Sequence, residues 1–326
     1  MLDLPRMERI RLSAKPRVQR LIALSVLVPN YELPPRVRIQ ILGADTLPRE
    51  PVIFAMNHTD RYNYWPFQYR LWRMKSRYTA TWVKGKYYQN RAMGTFMELT
   101  NNIPTVSRGY LISRDFVNTV GRPPSAEEYA ALRAMVEARD PGEIVLPREL
   151  FERSRDMLGY RFDAGRETYA AALDALFQAM MARFVALNGE ALDLGLDVLV
   201  FPQGTRSIRL SKGHIGLGQI ALHFKRPIVP VGCSGSDKVY PSGAPIGRPG
   251  RIVYRIGKTI PYEEMKPFHI DEPFQPFTPE AEERHRDRFQ GLVDVVMDRI
   301  NDLVDEPYKW GDDQESDGVA GTRRFV

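Results

Sequence analysis

Two short apolar runs that break off into polar loops constrain this chain more than any other feature. Val52-Ile53-Phe54 leads through Ala55 and Met56 into Asn57-His58-Thr59-Asp60-Arg61-Tyr62-Asn63, and Val198-Leu199-Val200-Phe201 leads into Pro202-Gln203-Gly204-Thr205-Arg206-Ser207. A brief apolar run ended by polar residues reads as a strand buried on both faces that delivers its end to a cleft. Residues 37–41 alternate like a half-buried strand, and 78–83, 103–106, 228–231 and 251–256 read as further strands. Helical spacing recurs in 64–77, 90–99, 217–224 and 281–304, the last placing Phe289, Leu292, Val295, Val296 and Ile300 inward. Strands alternating with helices predict an α/β fold, a central and mostly parallel sheet flanked by helices.

Residues 109–196 depart from that rhythm. Helical periodicity at 127–137 and 168–187, with Tyr169, Leu173, Leu176, Met180 and Phe184 on one face, is punctuated by Pro123-Pro124, Pro141-Gly142 and Pro147. The expectation is a helical insertion that caps the core. Residues 1–36 form a basic amphipathic N-terminal segment, 37–307 the main domain, and the Gly/Asp-rich 308–326 a disordered tail.

The formal net charge of +6 and isoelectric point near 9.3 favour anionic partners. Residues 1–40 hold eight basic and three acidic side chains, so +5 of that charge sits there. Leu2, Leu4, Met7, Ile10 and Leu12, then Val18, Leu21, Ile22 and Leu24, are interleaved with it. Such a segment either lies on an anionic phospholipid surface or packs on the core with its basic face solvated. No apolar run approaches the ~20 residues that span a bilayer, so no transmembrane helix is expected. The single cysteine, Cys233, forbids an internal disulfide, reads as a buried thiol and fits a reducing compartment. No metal-ligand spacing and no nucleic-acid motif are present, so neither a metal nor a nucleic-acid partner is expected.

The two strand ends carry the chemistry. His58 follows a buried strand and has Asp60 and Asn63 close enough in sequence to orient it, as a general base requires. No activated serine or cysteine accompanies it, so it is suited to deprotonating a substrate hydroxyl. Gly204-Thr205-Arg206, after the other strand, suits a phosphate: glycine admits close approach and arginine offers a forked cation. Arg108 follows a further strand and is expected at the same sheet edge, where ligands of open α/β sheets gather.

These blocks resemble the glycerolipid acyltransferase superfamily, most closely the 1-acylglycerol-3-phosphate acyltransferases. Asn57-His58-x4-Asn63 stands where that family has N-H-x4-D. Gly94-Thr95-Phe96 through Ile103-Pro104 to Arg108 resembles its second block. Phe201-Pro202-Gln203-Gly204-Thr205-Arg206-Ser207 matches F-P-E-G-T-R-S at six of seven positions, and Ile228-Val229-Pro230-Val231 resembles its V-P-V block. The resemblance implies an acyl transfer from acyl-CoA or acyl-carrier protein, with no bound cofactor, to the hydroxyl of a lysophosphatidic-acid-like acceptor. It implies His58 as base, Gly204, Thr205, Arg206 and Ser207 on the substrate phosphate with Arg108 assisting, Pro230 shaping an acyl channel, and a cytoplasmic protein held peripherally on the inner face of a membrane. Two carboxylates of the pattern are amides here, Asn63 and Gln203. An amide can hold the imidazole but cannot stabilise its cation, and Asp60 is expected to supply the missing anion. A different acceptor (a lipid amine, a glycolipid or another alcohol) and a lipid-binding pseudoenzyme stay open on these residues, as does the oligomeric state.

Overall fold

The structure is a computed structural model that describes residues 1–34, 36–241 and 243–311. Of the tail expected to be disordered, Tyr308 is instead buried, its hydroxyl donating to Asp237 Oδ1 (2.6 Å), and the Trp310 N–H donates to Asn301 Oδ1 (3.0 Å); 312–326 lie outside the described residues. Helices α1 (Leu4–Arg9), α2 (Arg17–Ile22) and α3 (Val28–Glu32) precede β1 (Val37–Leu42), and a π-helical turn, Ala23–Leu27, joins α2 to α3. Then follow β2 (Ile53–Met56), α4 (Tyr64–Lys75), β3 (Thr79–Lys84), α5 (Arg91–Leu99) and β4 (Asn102–Thr105). The segment between β4 and the next sheet strand holds α6 (Arg108–Val120), α7 (Ala126–Val136), α8 (Glu149–Glu152), the hairpin β5 (Arg155–Met157) and β6 (Tyr160–Phe162), and α9 (Tyr169–Asp193). The chain closes with β7 (Asp197–Val200), α10 (Gly216–Phe224), β8 (Ile228–Ser234), α11 (Ser236–Val239), β9 (Gly250–Ile256) and α12 (Pro279–Leu303).

Seven strands make one sheet in the order β1-β9-β8-β2-β7-β3-β4. The five from β8 to β4 run parallel; β9 pairs antiparallel with β8, and β1 runs parallel to β9. The expected α/β architecture is the observed one. Strands β2, β7 and β8 are buried at every position because helices cover both faces. Ile53, Ala55, Val198, Val200 and Ile228 face α9, α10 and α12; Phe54, Met56, Leu199, Val229 and Val231 face α4 and the α2–α3 arm. Edge strand β1 alternates buried and exposed, as its sequence does.

The start of the central strands is pinned by one buried acid. Asp197 accepts from the Val52 N–H (3.0 Å) and from Arg77 Nε (2.8 Å), and a second Arg77 nitrogen reaches its other oxygen. Because β2 and β7 share that anchor, they also end together, and their two loops meet.

Segment 109–196 is neither wholly helical nor a cap. It contains the β5–β6 hairpin, and α9 buries Leu173, Leu176, Met180 and Phe184 in the same core as β2 and β7. On α12 the inward set includes Val293 and Met297, and Val295 is only half-buried. By length and composition α9 is the one helix among the described residues apolar enough to cross a membrane, and its face lies in this core.

The N-terminal segment divides between its two expected roles. Residues 1–12 pack: Leu2, Met7, Ile10 and Leu12 are buried. Arg6 is held by Glu98 (2.6 Å) and the Tyr88 carbonyl (3.0 Å), and its guanidinium lies against Gly94, where a Cβ would fall 2.3 Å from Nη2. The α2–α3 arm instead leaves Leu21, Leu24 and Leu33 between 48% and 63% exposed beside Arg17, Arg20 and Arg36.

Candidate active site

His58 stands two residues past the end of β2, with its ring stacked on Phe201, the first residue after β7 (centroids 4.0 Å apart, 19° between planes). Both of its peptide groups are held by the loop after β7. The His58 N–H donates to Gln203 Oε1 (3.0 Å), and the His58 carbonyl accepts from the Ser207 N–H (2.9 Å). Asn57 ties the same point to β8: its amide accepts from the Cys233 N–H (2.7 Å) and donates to the Cys233 carbonyl (2.9 Å), standing in for one more rung of the ladder. Three parallel strands are thus laced together directly beneath the histidine.

Asn63 holds the ring. Its Oδ1 lies 3.2 Å from His58 Nδ1, and its Nδ2 donates to the Asn57 carbonyl at 2.8 Å. A carbonyl can only accept, so Asn57 fixes which way the amide points. Asn63 Oδ1 therefore requires a proton on Nδ1, which leaves Nε2 as the unprotonated, basic nitrogen. Asn63 is buried, and its own carbonyl accepts from the Tyr254 hydroxyl (2.6 Å).

The ring is kept neutral. Burial is the largest cause holding the His58 pKa down to about 3; the Asn63 bond opposes it, and the smaller effects of the Arg206 and Lys84 charges add to the lowering. Lys86 is likewise lowered, first by burial and then by Arg206 and Arg61. Four cations, Arg61, Lys84, Lys86 and Arg206, therefore gather around the ends of β2, β3 and β7. Sequence reasoning found Arg206 and missed the other three, although Lys84 obeys the same rule as Arg206: it is where a strand ends.

Several expected roles are not what the structure displays. Asp60 is not the partner of His58. Its carboxylate accepts from the Thr59 hydroxyl (3.0 Å) and the Tyr62 N–H (2.8 Å), and burial pushes its pKa up. Arg108 opens α6 and donates to Asp174 from Nη2 (2.6 Å) and Nε (3.1 Å), with its guanidinium 4.2 Å from the Phe177 ring centroid. It follows β4, three strands from β2 and so about 14 Å along the sheet, and it is not among the charges that act on His58. Gly204 spends its N–H on the Phe201 carbonyl (3.0 Å), so glycine is needed there for shape: φ is +65°, and a Cβ would meet the His214 ring at 2.7 Å. Pro202 is buried with its carbonyl accepting from the His214 N–H (2.8 Å), Thr205 is partly exposed at the turn, and Ser207 uses its N–H on His58.

Pro230 lies inside β8, where the pairing with the returning chain shifts by one residue: Val231 faces Ile256, but Ile228 faces Ile260. A bulge is where a strand tolerates the missing N–H. The ring is buried against Gly257 near the end of α12. Gly94 seats Arg6 rather than substrate. Among the described residues no three His, Cys, Asp or Glu side chains stand close enough together to hold a metal ion.

The sequence matches the acyltransferase family over residues 38–234, more than half of the chain. The chain belongs to the acyltransferase family. The matched region runs from β1 through β8 and contains the whole His58–Asn63–Gln203 arrangement of this acyltransferase. Among solved structures, the 1-acyl-sn-glycerophosphate (LPA) acyltransferase PlsC from Thermotoga maritima aligns at a TM-score of 0.40 and 14% identity, over 90% of this chain and 78% of that one. That likeness is too distant to carry residue roles across. No match is found among the curated proteins.

Proposed function

We propose that this acyltransferase moves an acyl group from a thioester donor to the hydroxyl of a phosphorylated lysolipid, with His58 as general base. The observation that carries the reading is the Asn63-held tautomer of His58, which leaves Nε2 unprotonated at the edge of a cluster of cations. Nε2 takes the proton as the acceptor oxygen attacks the thioester carbonyl; the C–O bond forms, the C–S bond breaks, and the proton passes to the departing thiolate. Fixed positive charge beside the base favours the developing oxyanion. No acyl-enzyme is required, because the base works directly on the acceptor.

Arg61, Lys84, Lys86 and Arg206 select the acceptor. A phosphate monoester is drawn to them, whereas a lipid amine is repelled and a neutral glycolipid gains nothing. Lysophosphatidic acid is the simplest acceptor of that class, and acyl-CoA or acyl-carrier protein the donor. The exposed Leu21, Leu24 and Leu33 of the α2–α3 arm, beside Arg17, Arg20 and Arg36, suit an anionic membrane surface. On this reading the protein sits peripherally on the inner face of a membrane and serves phospholipid synthesis. The intact hydrogen bonds on three sides of His58 argue against a pseudoenzyme.

The test is acyl transfer to lysophosphatidic acid compared with monoacylglycerol, which lacks the phosphate, using each donor in turn. Transfer confined to the phosphorylated acceptor is expected. Equal rates with both acceptors would remove the cation cluster from the account.

A further inference from the structure

Gln203 sits where the resemblance places a glutamate, and it is 2% exposed. Its two ends meet opposite backbone demands. Oε1 accepts from the His58 N–H at 3.0 Å, and Nε2 donates to the Arg209 carbonyl (3.2 Å) and the Ser211 hydroxyl (3.2 Å). An N–H can only donate and a carbonyl can only accept, so the amide has one possible orientation and both of its ends are in use. Asn63 repeats the arrangement with His58 Nδ1 on one side and the Asn57 carbonyl on the other. An ionised carboxylate has no proton for the Arg209 carbonyl and would set a second oxygen against it in a buried position, which is costly. A protonated carboxyl has the donor and acceptor pattern of the amide and would fit.

We propose that Gln203 is a positioning residue for His58: its amide, bridging the His58 N–H and the Arg209 carbonyl, sets where the imidazole stands, and a carboxylate can replace it only when protonated. The two amides are thus matched to the carbonyls they face, and they are not remnants of a decayed site. Together with the Ser207 N–H on the His58 carbonyl, this side chain joins the loop after β2 to the loop after β7. Losing it moves the base relative to the substrate, while Lys84 and Lys86, at and just after the end of β3, lie on an element that it does not touch.

The inference rests on His58 being the base, and its test has one readout that does not. Gln203→Glu and Gln203→Met are compared with the native protein between about pH 5 and pH 8, where an unperturbed glutamate of pKa about 4.3 is ionised. Acyl transfer from acyl-CoA to lysophosphatidic acid and the thermal midpoint are both followed. Gln203→Met removes both bonds at similar volume and is expected to lower kcat about ten-fold or more with KM little changed. Gln203→Glu is expected to be similarly impaired at the alkaline end. Its activity and its midpoint, each relative to native, should both recover toward the acid end as the buried carboxyl takes its proton.

A native kcat in Gln203→Met, or a Gln203→Glu to native activity ratio that is flat in pH, overturns the proposal. If the native protein transfers no acyl group, the base reading has failed, and the midpoints still decide the demand for an amide. A Gln203→Glu midpoint that follows the native one at every pH overturns it.

Discussion

His58 is neutral at neutral pH because burial and two nearby cations outweigh the single amide that favours its charged form. A carboxylate at position 63 would reverse part of that balance. Asn63→Asp is therefore expected to raise the His58 pKa from about 3 toward its ordinary 6.5, read by NMR titration of the ring; an unmoved titration would show that Asn63 is not its partner. The depressed pKa also makes a stability prediction. Between 6.5 and about 3 the unfolded chain binds a proton that the native chain does not, so His58 lends stability that is intact above pH 6.5 and is lost as pH falls toward 3. The slope is at most about 1.4 kcal/mol per pH unit, and His58→Gln should remove it from urea denaturation curves taken across that window. Asp60→Asn should keep transfer within a few-fold of native, since its carboxylate serves Thr59 and Tyr62. A loss as deep as that of a His58 variant would restore Asp60 to the catalytic machinery.

At the scale of elements, the sheet was legible because helices on both faces leave unbroken apolar runs in β2, β7 and β8, too short for a helix and ended by turn residues. His58, Gly204 and Arg206 were legible for a related reason: each follows such a run. What could not be read was direction within the loops. Asp60 lies two residues from His58 and Asn63 five, and only the fold turns the farther one toward the ring and the nearer one toward Tyr62. The apolar face of α9 fits a lid as well as the main core, and only the fold shows that it lies in the core. Lys84 was legible and overlooked. Asp197 is the element-scale test: Asp197→Ala strands Arg77 and the Val52 N–H together and should cost about 3–5 kcal/mol by urea denaturation. A cost under about 1 kcal/mol would mean that this anchor does not set the common start of β2 and β7.

For the whole molecule, charge and apolar surface coincide at one place. The α2–α3 arm holds exposed Leu21, Leu24 and Leu33 together with arginines, while the equally apolar residues 1–12 are consumed by the core. Leu21→Ser with Leu24→Ser should weaken binding to vesicles containing anionic phospholipid without changing the thermal midpoint, and raised salt should weaken native binding. Vesicle binding unaffected by the double variant would place the lipid contact elsewhere.

All of the proposed chemistry depends on His58. Acyl transfer to lysophosphatidic acid, from acyl-CoA and separately from acyl-carrier protein, is to be measured for the native protein and for His58→Ala, with the folded state of each confirmed by circular dichroism. Transfer with at least one donor and a loss of about 10²–10⁴-fold in the variant are expected. A folded His58→Ala protein that transfers acyl groups at the native rate would contradict that expectation.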